Sequence, residues 1–139
     1  MSEGAIMDIA ATLETLTHSD PLNQVARIRR GLPARLWAFV ASLIGIGKHE
    51  LAELLKLNPR TLQRRTTLHG EEAERLLRVY RIFEEAAAMC RGDRDEARHW
   101  MNAPAVALGG HRPIELLDTE IGAAQVLNVI RAVTWGVYL

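Results

Sequence analysis

Apolar residues recur at steps of three and four along most of the chain, and no alternating apolar and polar run ends in a hairpin dipeptide. That period predicts an all-α fold, a helical bundle. Ile6, Ile9, Ala10, Leu13 and Leu16 form a first stripe, whose helix should stop before Asp20-Pro21 because a proline ring disfavours helix at the preceding residue. Residues 1–20 are expected to form a mobile helical arm. Leu36, Phe39, Val40, Leu43 and Ile44 make a second, mostly buried stripe that begins near Pro33 and ends at Gly45 and Gly47. Lys48–Lys56 places Leu51, Leu54 and Leu55 on one face, with Ala52 small enough to admit a neighbouring helix. After a break at Leu57, Asn58 is suited to cap a short helix and Pro59 to open it.

The longest pattern runs from Glu71 to Cys90, with Ala73, Leu76, Leu77, Tyr80, Phe83, Ala87 and Cys90 on its inner face and Gly92 as its end. Asp93 with Glu96 has the form of a capping box. The helix it opens should bury Ala97, Trp100 and Met101 and close before Pro104. Pro113 starts a short helix through Leu117. Asp118 or Thr119 then caps a last one, with Ile121, Val126, Leu127, Ile130 and Val133 inward and Gly136 as its stop.

A chain of 139 residues, 48% apolar, supports one hydrophobic core and excludes a large multidomain enzyme. Lys plus Arg and Asp plus Glu both number 17, so the global charge points to no partner. The distribution does. Residues 1–26 carry four acids and no Lys or Arg, residues 27–66 nine bases against Glu50 and Glu53, and residues 67–139 eight bases against eleven acids. The middle third, at +7, has the charge density that suits a phosphate backbone. Cys90 is the only cysteine, which excludes an internal disulfide and a multi-thiolate zinc site and fits a small buried hydrophobe. The N-terminus does not read as a secretory signal. Leu36–Gly47, the longest uncharged apolar stretch, is well short of the roughly 20 residues that span a bilayer. A soluble, cytoplasmic protein with no membrane partner is expected.

Lys48–Arg65 has the helix, short turn, helix spacing of a helix-turn-helix. With Leu62 inward and about 100° per residue, Arg60, Gln63, Arg64 and Thr67 fall at about 160°, 100°, 200° and 140°, a shared outward face. Arg pairs bidentately with guanine and Gln with adenine, and Thr61 near the helix start is placed for a phosphate. Arg65, nearer the buried edge, is expected to touch phosphate, with Lys48 as a further contact. The competing reading is a solvated basic face. Such turns often contain Gly, and here Lys56 or Asn58 must adopt the left-handed backbone, Asn58 at the lower cost.

Gly109-Gly110 reads as a tight turn better than as a phosphate cradle, since neither a Gly-x-Gly-x-x-Gly nor a P-loop lysine accompanies it. His18, His49, His69, His99 and His111 form no metal or triad spacing. Glu71, Glu72, Glu84, Glu85, Asp93, Asp95 and Glu96 fit helix-terminal and solvated charges better than a paired acid and base. No cofactor and no catalytic role of its own are expected.

From about Gly31 onward the chain resembles the Xre/MbcA/ParS family of antitoxins. The residues that carry the resemblance are Glu50-Leu51-Ala52-Glu53-Leu54-Leu55, Arg60-Thr61-Leu62-Gln63-Arg64-Arg65, Ala107-Leu108-Gly109-Gly110, Pro113-Ile114-Glu115-Leu116-Leu117-Asp118-Thr119, Gly122 and Gly136-Val137-Tyr138. Ala105, where Asn often follows Pro104, and Trp135 ahead of Gly136 depart from the pattern. The resemblance implies a non-catalytic chain and a partner, a RES-domain toxin that consumes NAD. It also implies that the C-terminal region covers the toxin, that its end reaches the NAD pocket, and that the helix-turn-helix binds the operon's own promoter.

The expected organisation is therefore an arm (1–20), a helix-turn-helix region (21–70) and a toxin-binding domain (71–139). The expected DNA contacts are Lys48, Arg60, Thr61, Gln63, Arg64, Arg65 and Thr67. The expected toxin contacts are Leu108, Gly109, Gly110, Thr119, Trp135, Gly136, Val137, Tyr138 and Leu139. The last five form an uncharged tail that either supplies aromatic anchors to a partner or packs on its own core. Self-association to a dimer or more is expected on double-stranded promoter DNA. A stand-alone regulator whose C-terminal region only dimerises is the alternative.

Overall fold

The computed structural model describes residues 3–136, and side chains from Asp8 onward. It is almost wholly helical, as the periodicity predicts. Helix α1 (Glu3–Thr17) buries Ile9 and Leu13 completely and Leu16 nearly so. Burying such side chains stabilises by about 1.5–3 kcal/mol each. Helix α1 is thus packed against the core and is not a mobile arm. The pair between Asp8 and Arg35, at 2.5 Å, fastens its outer side.

Next comes a helix that the apolar periodicity does not predict, α2 (Pro21–Arg30), with Pro21 in its first turn and Asp20 at the cap position. It has no fully buried residue. Ile28 alone among its residues packs against the core, while Leu22 and Val25 are exposed. Two-residue strands β1 (Leu32–Pro33) and β2 (Thr67–Leu68) then pair antiparallel, Leu32 opposite Leu68 and Pro33 opposite Thr67. Gly31 has φ 110°, and a Cβ there would lie 2.2 Å from Thr67 Cγ2, so only glycine lets the strands meet.

Helix α3 (Leu36–Ile44) is buried along most of its surface, and Gly45 ends it in the left-handed conformation. Its last carbonyls are capped from far along the chain: Arg98 Nε donates to Leu43 O at 2.8 Å and Asn102 Nδ2 to Ile44 O at 2.9 Å. Both donors lie on or at the end of α7 (Arg94–Asn102), whose own cap, as expected, is Asp93 accepting from the Glu96 amide at 3.0 Å. In α7 Ala97 and Met101 are buried and Trp100 is half-buried. Helix α6 (Gly70–Met89) runs through the middle and packs against α2, α3, α7 and the last helix, α8 (Glu120–Thr134). Cys90, at the end of α6, is only half-buried.

Two 3-10 turns, Val106–Leu108 and Pro113–Leu116, lead to α8. Thr119 is its cap, accepting from the Gly122 amide at 3.0 Å. A Cβ on Gly122 would lie 1.9 Å from Leu116 O, which explains a glycine inside a helix. Of the expected inner face of α8, Val126 and Ile130 are buried and Leu127 is partly buried against the core, but two positions differ. Ile121 is 79% and Val133 57% exposed, whereas Ala123, Val126, Val129 and Ile130 are buried. Ile121 sits about 140° around the helix from Val126, and Val133 projects near the C-terminal end, beyond the buried stretch. Arg78, a buried arginine on α6, docks α8 by donating to Glu120 Oε1 at 2.7 and 2.9 Å and to Leu117 O at 3.0 Å.

Candidate nucleic-acid interface and partner surface

The helix-turn-helix consists of α4 (Lys48–Leu54), a turn, and α5 (Pro59–Arg64). Leu51, Leu55 and Leu62 are buried beneath it. Asn58 caps α5 as predicted, its Oδ1 accepting from the Arg60 amide at 2.9 Å and the Thr61 amide at 3.4 Å. That role decides which residue turns left-handed. A cap needs extended backbone, so Asn58 has φ −84° and Lys56 takes φ 59°. The lower-cost choice, Asn58, is thereby overruled. The turn is held from outside by Arg75 of α6, whose Nη1 donates to Leu55 O at 3.0 Å and Lys56 O at 3.2 Å.

On α5, Arg60, Gln63 and Arg64 are exposed and Thr61 half-exposed. None of the three long side chains has a salt bridge or side-chain hydrogen bond to the described residues. Thr67 is not with them. Helix α5 ends at Arg64 and Arg65 is already extended, so the helical projection fails beyond it, and Thr67 lies in β2 against Gly31. Arg65 is engaged by Glu72 at 3.3 Å. Lys48 is exposed at the start of α4, its Nζ 5.0 Å from the Trp37 ring centroid, while Trp37 Nε1 donates to its carbonyl at 2.7 Å.

A second surface lies on the C-terminal elements. Gly109 and Gly110 are exposed and left-handed, φ 67° and 84°. Their amides donate inside the loop, Gly109 to Val106 O at 3.0 Å and Gly110 to Ala105 O at 2.9 Å. A tight turn, with no amides left over to cradle a phosphate, is what these bonds make. Leu108 is buried beneath the turn, and the Thr119 hydroxyl is committed to the α8 cap. Trp135, 79% exposed, caps the end of α8, and Gly136 follows at φ 70°. Val137, Tyr138 and Leu139 lie outside the described residues. Sequence reasoning missed Ile121 and Val106, the latter 98% exposed. Apolar residue type alone does not signal an outward position.

The two surfaces are linked by charge. Arg112 Nε donates to Glu115 Oε1 at 2.8 Å, and its Nη1 lies 3.8 Å from Glu50 of α4. His111 Nδ1 is 3.2 Å from the other Glu115 oxygen. The hydrogen bond from Arg112, and then that from His111, hold the Glu115 carboxyl below the usual carboxylate range. Among the described residues no group of three or more His, Cys, Asp and Glu is placed to hold a metal, and no helix is long and apolar enough to cross a membrane.

Residues 24–81 match the profile of the antitoxin Xre-like helix-turn-helix domain. Residues 85–136 match that of the antitoxin Xre/MbcA/ParS C-terminal toxin-binding domain. The fold is thus that of a helix-turn-helix protein with an appended helical binding unit. Among similar proteins, Antitoxin Xre of Photorhabdus laumondii is 30% identical over 116 residues, 81% of this chain and 78% of that one. Antitoxin Xre of Yersinia enterocolitica is 36% identical over 107 residues, 74% and 68% of the two chains. A Sphingobium protein called Prs ADP-ribosylating antitoxin is 27% identical over 138 residues, 90% and 86%. The chain belongs to the Xre/MbcA/ParS family of antitoxins.

Proposed function

We propose that this antitoxin inhibits a RES-domain, NAD-consuming toxin by covering its active site, and that it binds its own operon promoter to repress transcription. The carrying observation is the separation of two exposed surfaces on one core. The basic face of Arg60, Gln63 and Arg64 stands on the short helix after a helix-turn-helix turn. Exposed apolar side chains stand at both ends of α8, Ile121 in its first turn and Val133 and Trp135 at its C-terminal end, inside the segment that matches a toxin-binding domain. A large exposed aromatic is the usual make-up of an interface anchor.

In this reading residues 21–70 carry DNA binding and residues 71–139 toxin binding, with α6 joining them. Trp135, Gly109 and Gly110 face the toxin, followed by Val137, Tyr138 and Leu139, while Leu108 and Thr119 shape the loop and helix behind them. The name of the Sphingobium relative carries ADP-ribosylation, a chemistry for which NAD is the donor. The chain itself is the inhibitor and does not turn over substrate.

The test is co-expression with a RES-domain protein encoded beside the gene. Co-elution of the two and preservation of cellular NAD are expected. A toxin that elutes alone and still depletes NAD would overturn the reading in favour of a regulator whose C-terminal region only dimerises.

A further inference from the structure

We propose that the last turn of α2 is a clamp for a DNA backbone phosphate, separate from the recognition helix and tied to its exit through the β1–β2 pair. The proposal rests on the DNA-binding reading above. Arg27 and Arg30 lie three residues apart on one side of α2. With Thr15, Asn23 and others they line an open cavity of about 420 Å³ between α1 and α2. Neither arginine pairs with an acid among the described residues, and Arg27 Nε is buried without a hydrogen-bond partner. The single acid in the lining, Asp8, is already taken by Arg35 at 2.5 Å. Two guanidinium groups with no acid partner thus line one groove, which suits an incoming anion.

Its position selects the anion. Arg30 is followed by Gly31, which packs on Thr67 and comes near His69, and by Leu32, which pairs with Leu68. Those partners lie just beyond Arg64, where α5 ends. A recognition helix in a major groove about 12 Å wide has a phosphate wall on each side, and residues beside its exit stand next to one of them. Arg27 and Arg30 also open the +7 segment of the sequence. Cations in a helix's last turn complement its dipole without any ligand. That account predicts an effect on stability and none on the salt dependence of DNA binding.

The experiment measures the affinity of the full chain for a labelled duplex from its own upstream region, and for a shuffled duplex, across a series of salt concentrations. Arg30→Ala is expected to flatten the slope of log K against log salt by about 0.9, the loss of one phosphate contact, equally on both duplexes. Arg30→Lys should keep the slope, and Arg131→Ala, which removes the same charge from α8, should leave it unchanged. An Arg30→Ala slope equal to wild type, with promoter preference still lost in Arg64→Ala, overturns the clamp and leaves the DNA-binding reading standing. If wild type shows no promoter preference but Arg30→Ala still flattens the slope, the clamp stands and the operator reading falls. Absence of any duplex binding at low salt removes both.

Discussion

Arg75 ties the turn between α4 and α5 to α6, and it does so at the carbonyls of Leu55 and of the left-handed Lys56. Removing a charged donor leaves those acceptors to water or to nothing, a loss of about 1–3 kcal/mol. Arg75→Ala should therefore lower the unfolding free energy obtained from denaturant titration by that amount and weaken promoter binding, while far-ultraviolet circular dichroism stays helical. Tyr80 offers a second residue-level test. Burial first, then Glu84 and Glu14, push its phenol up to about 12 from 10.0. The folded state thus favours the neutral phenol, and its stabilising effect is complete below pH 10 and lost as pH rises towards 12. Thermal unfolding followed from pH 8 to 11.5 should show the melting point falling with alkali, and Tyr80→Phe should fall less. Gly122→Ala places a methyl against Leu116 O, and calorimetry should record a loss of about 1–3 kcal/mol, typical of overpacking.

Among the elements, the recognition helix is readable from sequence because its signals are local. Asn58 and Pro59 announce its start, and Leu62 fixes its inward side. Arg64→Ala is accordingly expected to cost about 1–3 kcal/mol of promoter binding if that side chain reads a base, measured by mobility shift at fixed salt, with toxin neutralisation intact. Its end is not readable. Nothing local at Arg65 stops a helix, and the pairing of Thr67 with Pro33, which does, depends on a strand more than thirty residues earlier. Helix α2 escapes notice for a different reason. Its only core contact is Ile28, so it has no stripe for periodicity to find. In α8 the apolar pattern reveals the helix, both its ends and most of its inner side, Val126, Leu127 and Ile130, but not that Ile121 is left outside, next to the turn where Arg78 of α6 grips Glu120 and Leu117. Buried polar anchors of this kind look like surface charge in a sequence.

At the scale of the whole molecule, one six-residue recognition helix supplies few base contacts, and two-fold pairing of half-sites about one helical turn apart doubles them. Light scattering should find at least a dimer on promoter DNA, and a strict monomer there is incompatible with the proposed repressor. Deleting residues 136–139 leaves every residue of α8 in place, so helicity should persist while the toxin regains activity, read as NAD loss during co-expression. If the folded truncation still protects cells, inhibition resides elsewhere, around Leu108–Thr119. The caps that Arg98 and Asn102 place on α3 also set a clock. They lie 55 and 58 residues downstream of the carbonyls they satisfy, about 3 to 12 seconds of synthesis at the ribosome. Until they emerge, the last carbonyls of α3 have only water as a partner and the scaffold under α4 and α5 is incomplete. An unfinished chain is then expected to be a poor operator ligand, and under the proposed autoregulation the promoter would respond only to polypeptides extended past α7, into the segment that matches the toxin-binding domain.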